Sequence, residues 1–153
     1  MADGRMREFV TFKIDAEEFA VDIANVQEIN RVVEVTRIPS VPSHVQGVIN
    51  LRGKIIPVVD LRKMLGFQSK AADRQNRIIV IEVGEVVVGL LVDAVSEVVP
   101  LPESAVEAPP TFAGAIASGC IEGVGKVDDR LLILLNLQKM FGTAEGTRGI
   151  APD

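Results

Sequence analysis

The chain has 153 residues, 48% of them apolar, a mean hydropathy of +0.31 and a formal net charge of −5. That length suits one compact domain or two small lobes sharing a core, and the apolar content excludes a disordered body. Scattered basic residues, with no Trp and no Tyr, argue against nucleic acid, whose recognition needs clustered Lys and Arg with stacking aromatics.

Residues 1–7 read as a flexible tail. Met1–Glu8 is charged and no apolar run follows it to make a signal peptide, so a cytoplasmic protein with no direct membrane insertion is expected. Phe9–Ile14 then alternates as a strand, with Val10, Phe12 and Ile14 on one face and Thr11 and Lys13 on the other. Asp22–Glu28 fits one short helix, with Asp22 as N-cap and Ile23, Val26 and Ile29 turned inward. Val48–Leu51 and Ile55–Val59 form a hairpin that turns at Arg52-Gly53. Pro57 cannot donate to a ladder, which places its strand at an edge or at a bulge.

Leu61–Leu65 reads as a single helical turn stopped by Gly66. Ile78–Val83 and Val86–Val92 form the clearest hairpin, joined by Gly84-Glu85, a pair suited to a type II′ turn. A second helical turn, Leu137–Phe141, stops at Gly142, and residues 143–153 read as a flexible tail. Short aliphatic strands separated by Gly, Pro and Asp predict an all-β barrel or sandwich.

An internal repeat sharpens this. Gly47–Gly66 (GVINLRGKIIPVVDLRKMLG) aligns without a gap on Gly123–Gly142 (GVGKVDDRLLILLNLQKMFG), placing Arg52-Gly53 over Asp128-Asp129. Val10–Ile29 aligns more weakly on Ile79–Val98. Two related small β-barrels packed together are expected, approximately over residues 8–66 and 77–142, with interweaving of the two left open.

Residues able to carry chemistry are scarce. His44 is the single histidine and Cys120 the single cysteine, so a zinc site, a His-based triad or an internal disulfide has little material. Gly119–Lys126 has the look of a phosphate loop, but Cys120 and Val127 stand where Gly and Ser or Thr are required. Asp128-Asp129 suits a hairpin turn for backbone reasons alone. Binding is therefore the favoured role, through open strand edges or an apolar groove, with a small enzyme or ligand-binding barrel as the competing class.

GVINLRGKIIPVVDLRKMLG, with FAVDIANVQEI upstream and VVVGLLVDAVSEVV downstream, resembles signature segments of the CheW family of chemotaxis coupling proteins. Gly47, Val48, Asn50, Leu51, Arg52, Gly53, Pro57, Asp60, Leu61 and Arg62 match its core motif, and the resemblance runs from Glu8 to Phe141. It implies two five-stranded SH3-like barrels packed together with short helical turns, forming a CheW-like domain over residues 8–142. It also implies a non-catalytic, cofactor-free scaffold coupling chemoreceptors to the histidine kinase CheA, in arrays under the inner membrane. The alternative is a coupler of a chemosensory pathway not controlling swimming.

The same domain forms the regulatory end of CheA and the front of CheV proteins, and a chain of this length fits a stand-alone coupler. By position, Val26, Gly89, Val95 and Val98 would contact the receptor's cytoplasmic hairpin tip. Glu28, Gly47 and Arg52 would bind the regulatory domain of CheA or tune coupling, and Phe112 would contact a neighbouring barrel in the array ring. The chain departs from some relatives at Glu107, where they carry a basic residue.

Overall fold

A computed structural model describes residues 5–108 and 120–142. Eleven strands run β1 Met6–Ile14, β2 Glu17–Asp22, β3 Val26–Arg31, β4 Val45–Leu51, β5 Lys54–Asp60, β6 Arg77–Val83, β7 Val86–Val92, β8 Ala94–Pro102, β9 Val106–Glu107, β10 Ile121–Val127 and β11 Arg130–Leu135. Two short helices, α1 Leu61–Met64 and α2 Leu137–Phe141, follow β5 and β11. Strand order is β8-β1-β2-β11-β10-β9 in one sheet and β3-β6-β7-β5-β4 in the other. Both sheets curl into small barrels. The rim of the second is spanned by Arg52, which reaches from the β4–β5 turn to Glu28 on the opposite edge strand.

The local punctuation explains the hairpins. Arg52 and Gly53 both have positive φ (51° and 87°), the pattern of a type I′ turn. Gly84 alone is positive at its turn (61°), as a type II′ turn requires. Asp60 and Asn136 cap the two helices by accepting from the Arg62 and Lys139 amides.

Two expectations need correcting. Asp22 does cap, accepting from the Ala24 amide at 2.9 Å, but it starts only a three-residue 3-10 turn, Ile23–Asn25. Val26–Arg31 is a strand with alternating exposure, and Ile23 and Ile29 lie at the surface instead of facing a core. Two β-branched residues in the strand, Val26 and Ile29, favour that extended form. Pro57 is neither at an edge nor at a bulge, because β5 lies between β4 and β7. It pairs with Val48, whose own N–H and C=O turn away to Thr36, so Val48↔Pro57 is a non-hydrogen-bonded pair. The ladder to β7 begins only at Val58, so the missing N–H interrupts no bond. Ile121–Val127 is a strand, in keeping with the sequence reading that set the phosphate-loop likeness aside.

The repeat is visible in the hydrogen-bond register. Val58↔Gly89 joins β5 to β7 in parallel, and the aligned pair Leu134↔Ala20 joins β11 to β2 in the same way. Val26↔Ile81 followed by a bulge to Glu28↔Val80 has its counterpart in Phe12↔Val95 followed by a bulge to Thr11↔Glu97. A further bulge between Val45 and Gly47 recurs between Ile121 and Gly123. The sheets do not follow the two halves of the sequence, however. Hairpin β1–β2 sits with β8–β11, and hairpin β6–β7 sits with β3–β5.

Three cores result. Phe9, Ala20, Val99, Leu101, Leu132 and Leu134 fill the six-stranded barrel, while Ile49, Ile56, Val58, Ile78 and Val80 fill the five-stranded one. A larger shared core between them includes Phe12, Phe19, Ile81, Leu90, Leu137 and Phe141. Each fully buried aromatic there contributes on the order of 2–3 kcal/mol relative to exposure. Strand β1 serves two cores at once, and Thr11 is buried on the face opposite Val10.

Candidate docking surface

The residues singled out from the sequence fall into three settings. Glu28, Gly89 and Gly47 lie in one row straight across the five-stranded sheet, through the register Glu28–Val80–Gly89–Val58–Gly47. Gly89 and Gly47 are buried within that row. A Cβ on Gly89 would stand 2.8 Å from Ile78 Cγ2, and one on Gly47 would collide with the Thr36 carbonyl. Both glycines thus set how closely the sheet and its covering segment pack, and neither presents a surface.

Val26 and Val95 occupy matching places, at the start of the edge strands β3 and β8, where the chain crosses from one sheet to the other. Both are half-buried against the shared core. Val98 is 48% exposed further along β8, and its counterpart in β3, Ile29, is 40% exposed. Phe112 lies outside the described residues.

Glu28 and Arg52 are brought together. Arg52 donates to the Glu28 carboxylate, which also accepts from Asn30 at 3.3 Å. The Arg52 hydrogen bond holds the Glu28 carboxyl below its ordinary value despite some opposing desolvation, and Glu28 in turn raises the guanidinium. The arginine side chain is 72% exposed, so it remains free to meet a second carboxylate.

Sequence reading missed the matching site on the other barrel. Arg130, on the β10–β11 hairpin, donates to Glu97 at 2.6 Å and takes Glu18 in a two-pronged pair at 3.0 Å. Glu97 stands where Glu28 stands, at a strand bulge, so the repeat alignment itself held the signal. The exposed aliphatics Ile55 (62%) and Leu131 (55%) are another aligned pair that periodicity passes over.

The competing class would need a cleft with unspent chemistry. An open hollow of about 290 Å³ lies between the barrels, lined by Arg7, Asp22, Asn25, Glu122, Asn136 and Gln138 among others. Its two carboxylates are already taken by Arg7, at 2.9 Å from Asp22 and 2.8 Å from Glu122. His44 is partly buried, which lowers its pKa, and its backbone carbonyl accepts from the Asp60 amide at 2.8 Å. Burial raises the Cys120 thiol, the opposite of what a nucleophile needs. Among the described residues no three His, Cys, Asp or Glu side chains are placed to hold a metal, and no helix is long and apolar enough to cross a membrane.

Fold and surface together define a class: an interlaced double β-barrel in which Val26, Glu28, Val95 and Val98 sit on edge strands and Arg52 on a hairpin turn. Residues 8–145 match the CheW-like domain family, and the chain belongs to that family. It is 38% identical over 139 residues to the chemotaxis protein CheW of Klebsiella aerogenes, covering 91% of this chain and 84% of that one. Identity to the chemotaxis protein CheW of Bacillus subtilis is 31% over 144 residues, 94% of this chain and 92% of that one. The crystal structure of the scaffolding protein TtCheW from Thermoanaerobacter tengcongensis superposes with a TM-score of 0.84 at 38% identity, covering 93% of this chain and 96% of that one.

Proposed function

We propose that this chain is a chemotaxis scaffold that couples chemoreceptors to the histidine kinase CheA and transforms no molecule itself. The barrel rim carrying Glu28 and Arg52 docks the regulatory domain of CheA. The exposed part of β8 around Val98, with Val26 and Val95 at the two crossovers, receives the apolar face of the receptor's hairpin tip. Gly89 and Gly47 act behind these surfaces by fixing the sheet on which Glu28 stands. The chain works in the cytoplasm, at receptor arrays under the inner membrane.

The observation that carries this reading is Arg52. Three other hairpin turns place Asp15, Gly84 or Asp128 at their positive-φ position, residues suited to it. Arg52 stands there against that local preference (φ 51°), with its guanidinium held out at a barrel rim. A residue kept against its backbone preference marks a site selected for something besides folding.

The test mixes the purified chain with the regulatory domain of CheA and with a soluble receptor hairpin tip, separately and together. Gel filtration should show a binary complex with each and a ternary complex with both. Elution of all three components apart, at concentrations up to tens of micromolar, would rule the scaffold reading out.

A further inference from the structure

The two halves of the chain depend on each other for every closure of a sheet. In residues 6–60, hairpins β1–β2 and β4–β5 share no ladder, and β3 pairs with neither. In residues 77–135, hairpin β6–β7 likewise shares no ladder with β8–β11. The ladders that complete the sheets are β1–β8, β2–β11, β3–β6 and β5–β7, and each takes one strand from either half. The shared core is mixed in the same way, with Phe12, Phe19 and Leu61 against Ile81, Leu90 and Phe141. Neither half buries its apolar faces alone.

One connection joins the halves. Phe67 anchors its start, edge-on to Phe19 with ring centres 6.1 Å apart, and the Gln68 carbonyl accepts from Arg62 Nε at 2.9 Å. Its end is anchored by Asn76, which donates to the Asp93 carbonyl at 3.1 Å. Between them Ser69–Ala72 is exposed, and a hydrogen-bonded turn begins only at Asp73. The molecule is in effect a complex of two half-chains held by a short exposed tether.

We propose that these halves exchange between copies. Residues 5–68 of one copy take residues 73–142 of a second copy, and the reverse, giving a reciprocal dimer with Ser69–Ala72 as the crossover. Its partner is a second copy of this chain, and no new interface is required, since every ladder and core contact is the one already present within a single copy. The outcome is set by the tether's effective concentration, on the order of millimolar for a short flexible linker, against that of the second chain. Folded at micromolar concentration, the chain closes on itself. Chains folding together near the millimolar range exchange. The dimer presents the Glu28–Arg52 rim twice.

The experiment uses two full-length versions, one isotopically heavy and one light, each with a protease site replacing Ser69–Ala72. They are unfolded together, refolded at concentrations from about 1 μM to about 1 mM, and diluted. A dimer whose share rises with the refolding concentration and survives dilution is expected. Cutting at the site should then release monomer-sized particles, and native mass spectrometry should find the heavy half of one chain with the light half of the other. Only monomers at every concentration would overturn the proposal. So would a dimer that stays dimer-sized after cutting, since that is association through an outer surface. Neither outcome bears on binding of the kinase or receptor by the monomer.

Discussion

Arg52 occupies a backbone conformation that the other hairpin turns leave to Asp and Gly. Asparagine adopts that conformation more readily and is a preferred first residue of a type I′ turn. Arg52→Asn should therefore unfold no earlier than the parent in a thermal scan, while removing the guanidinium from the rim. Its partner reports the change. Glu28 is held below the ordinary value of 4.5, first by the Arg52 hydrogen bond, with Asn30 adding to it. A depressed folded value means the pair's contribution is fully present above the unfolded value and is lost as pH falls through the folded one. An NMR titration should place the Glu28 midpoint below that of a free glutamate, and Arg52→Asn should move it up. No movement would mean that the pair does not form in solution.

The two glycines of the same row separate sharply. A methyl at Gly47 meets the Thr36 backbone, which cannot yield locally, whereas one at Gly89 meets the branch methyl of buried Ile78, Cγ2, which yields only if that side chain shifts. Gly47→Ala should cost about 3 kcal/mol in urea unfolding and Gly89→Ala about 1 kcal/mol. Equal costs would contradict the packing described.

At the scale of elements, the hairpins were legible because their turns are local. Gly84-Glu85, Arg52-Gly53 and Asp128-Asp129 announce themselves within a few residues, and so do the helical turns that stop at Gly66 and Gly142. Strand β3 was not. Asp22 followed by Ile23, Val26 and Ile29 fits a helical period, and only the sheet edge offered by β6 settles that the segment extends. Nor could the sequence reveal which sheet a strand joins, since the repeats share their periodicity and exchange hairpins without altering it. The sequence put Arg52 and Glu28 forward as candidates through a family motif, but motif matching could not tell that Gly89 and Gly47 lie inside.

Thr11 shows how an element absorbs an irregularity. Its hydroxyl donates to the Glu97 carbonyl at 3.0 Å and accepts from the Glu97 amide at 3.1 Å, satisfying the backbone at the β8 bulge. Thr11→Val preserves shape and strands both groups, so a loss of about 1–3 kcal/mol is expected by denaturant melting. Full stability in the variant would show that the bulge finds other partners.

Across the whole molecule one break in the near-symmetry bears on how the barrels are joined. Arg62, only 8% exposed, ties the β1–β2 turn through Asp15 (2.7 Å) to the β7–β8 crossover through Asp93 (2.6 Å). Burial alone would lower this guanidinium, but the Asp15 hydrogen bond and the charges of Asp93, Asp15 and Asp60 raise it on balance. The aligned residue in the other repeat is Gln138, which lines the open hollow instead. The barrels are therefore locked at one pole and parted at the other. Arg62→Ala leaves the largely buried Asp93 with only the more distant Lys70, at 3.9 Å, as a counter-charge and should cost about 2–3 kcal/mol, while Gln138→Ala should cost well under 1 kcal/mol. Comparable losses in urea unfolding would mean that the two poles are held alike.

An adaptor acts through surfaces that can be altered while its cores stay intact. Isothermal titration of the regulatory domain of CheA into the parent chain and into Arg52→Asn, with both melting temperatures recorded, separates surface from scaffold. Binding should weaken at least tenfold in the variant with no fall in melting temperature. Equal affinity in the two proteins, or weakened binding that tracks a loss of fold, would contradict the account.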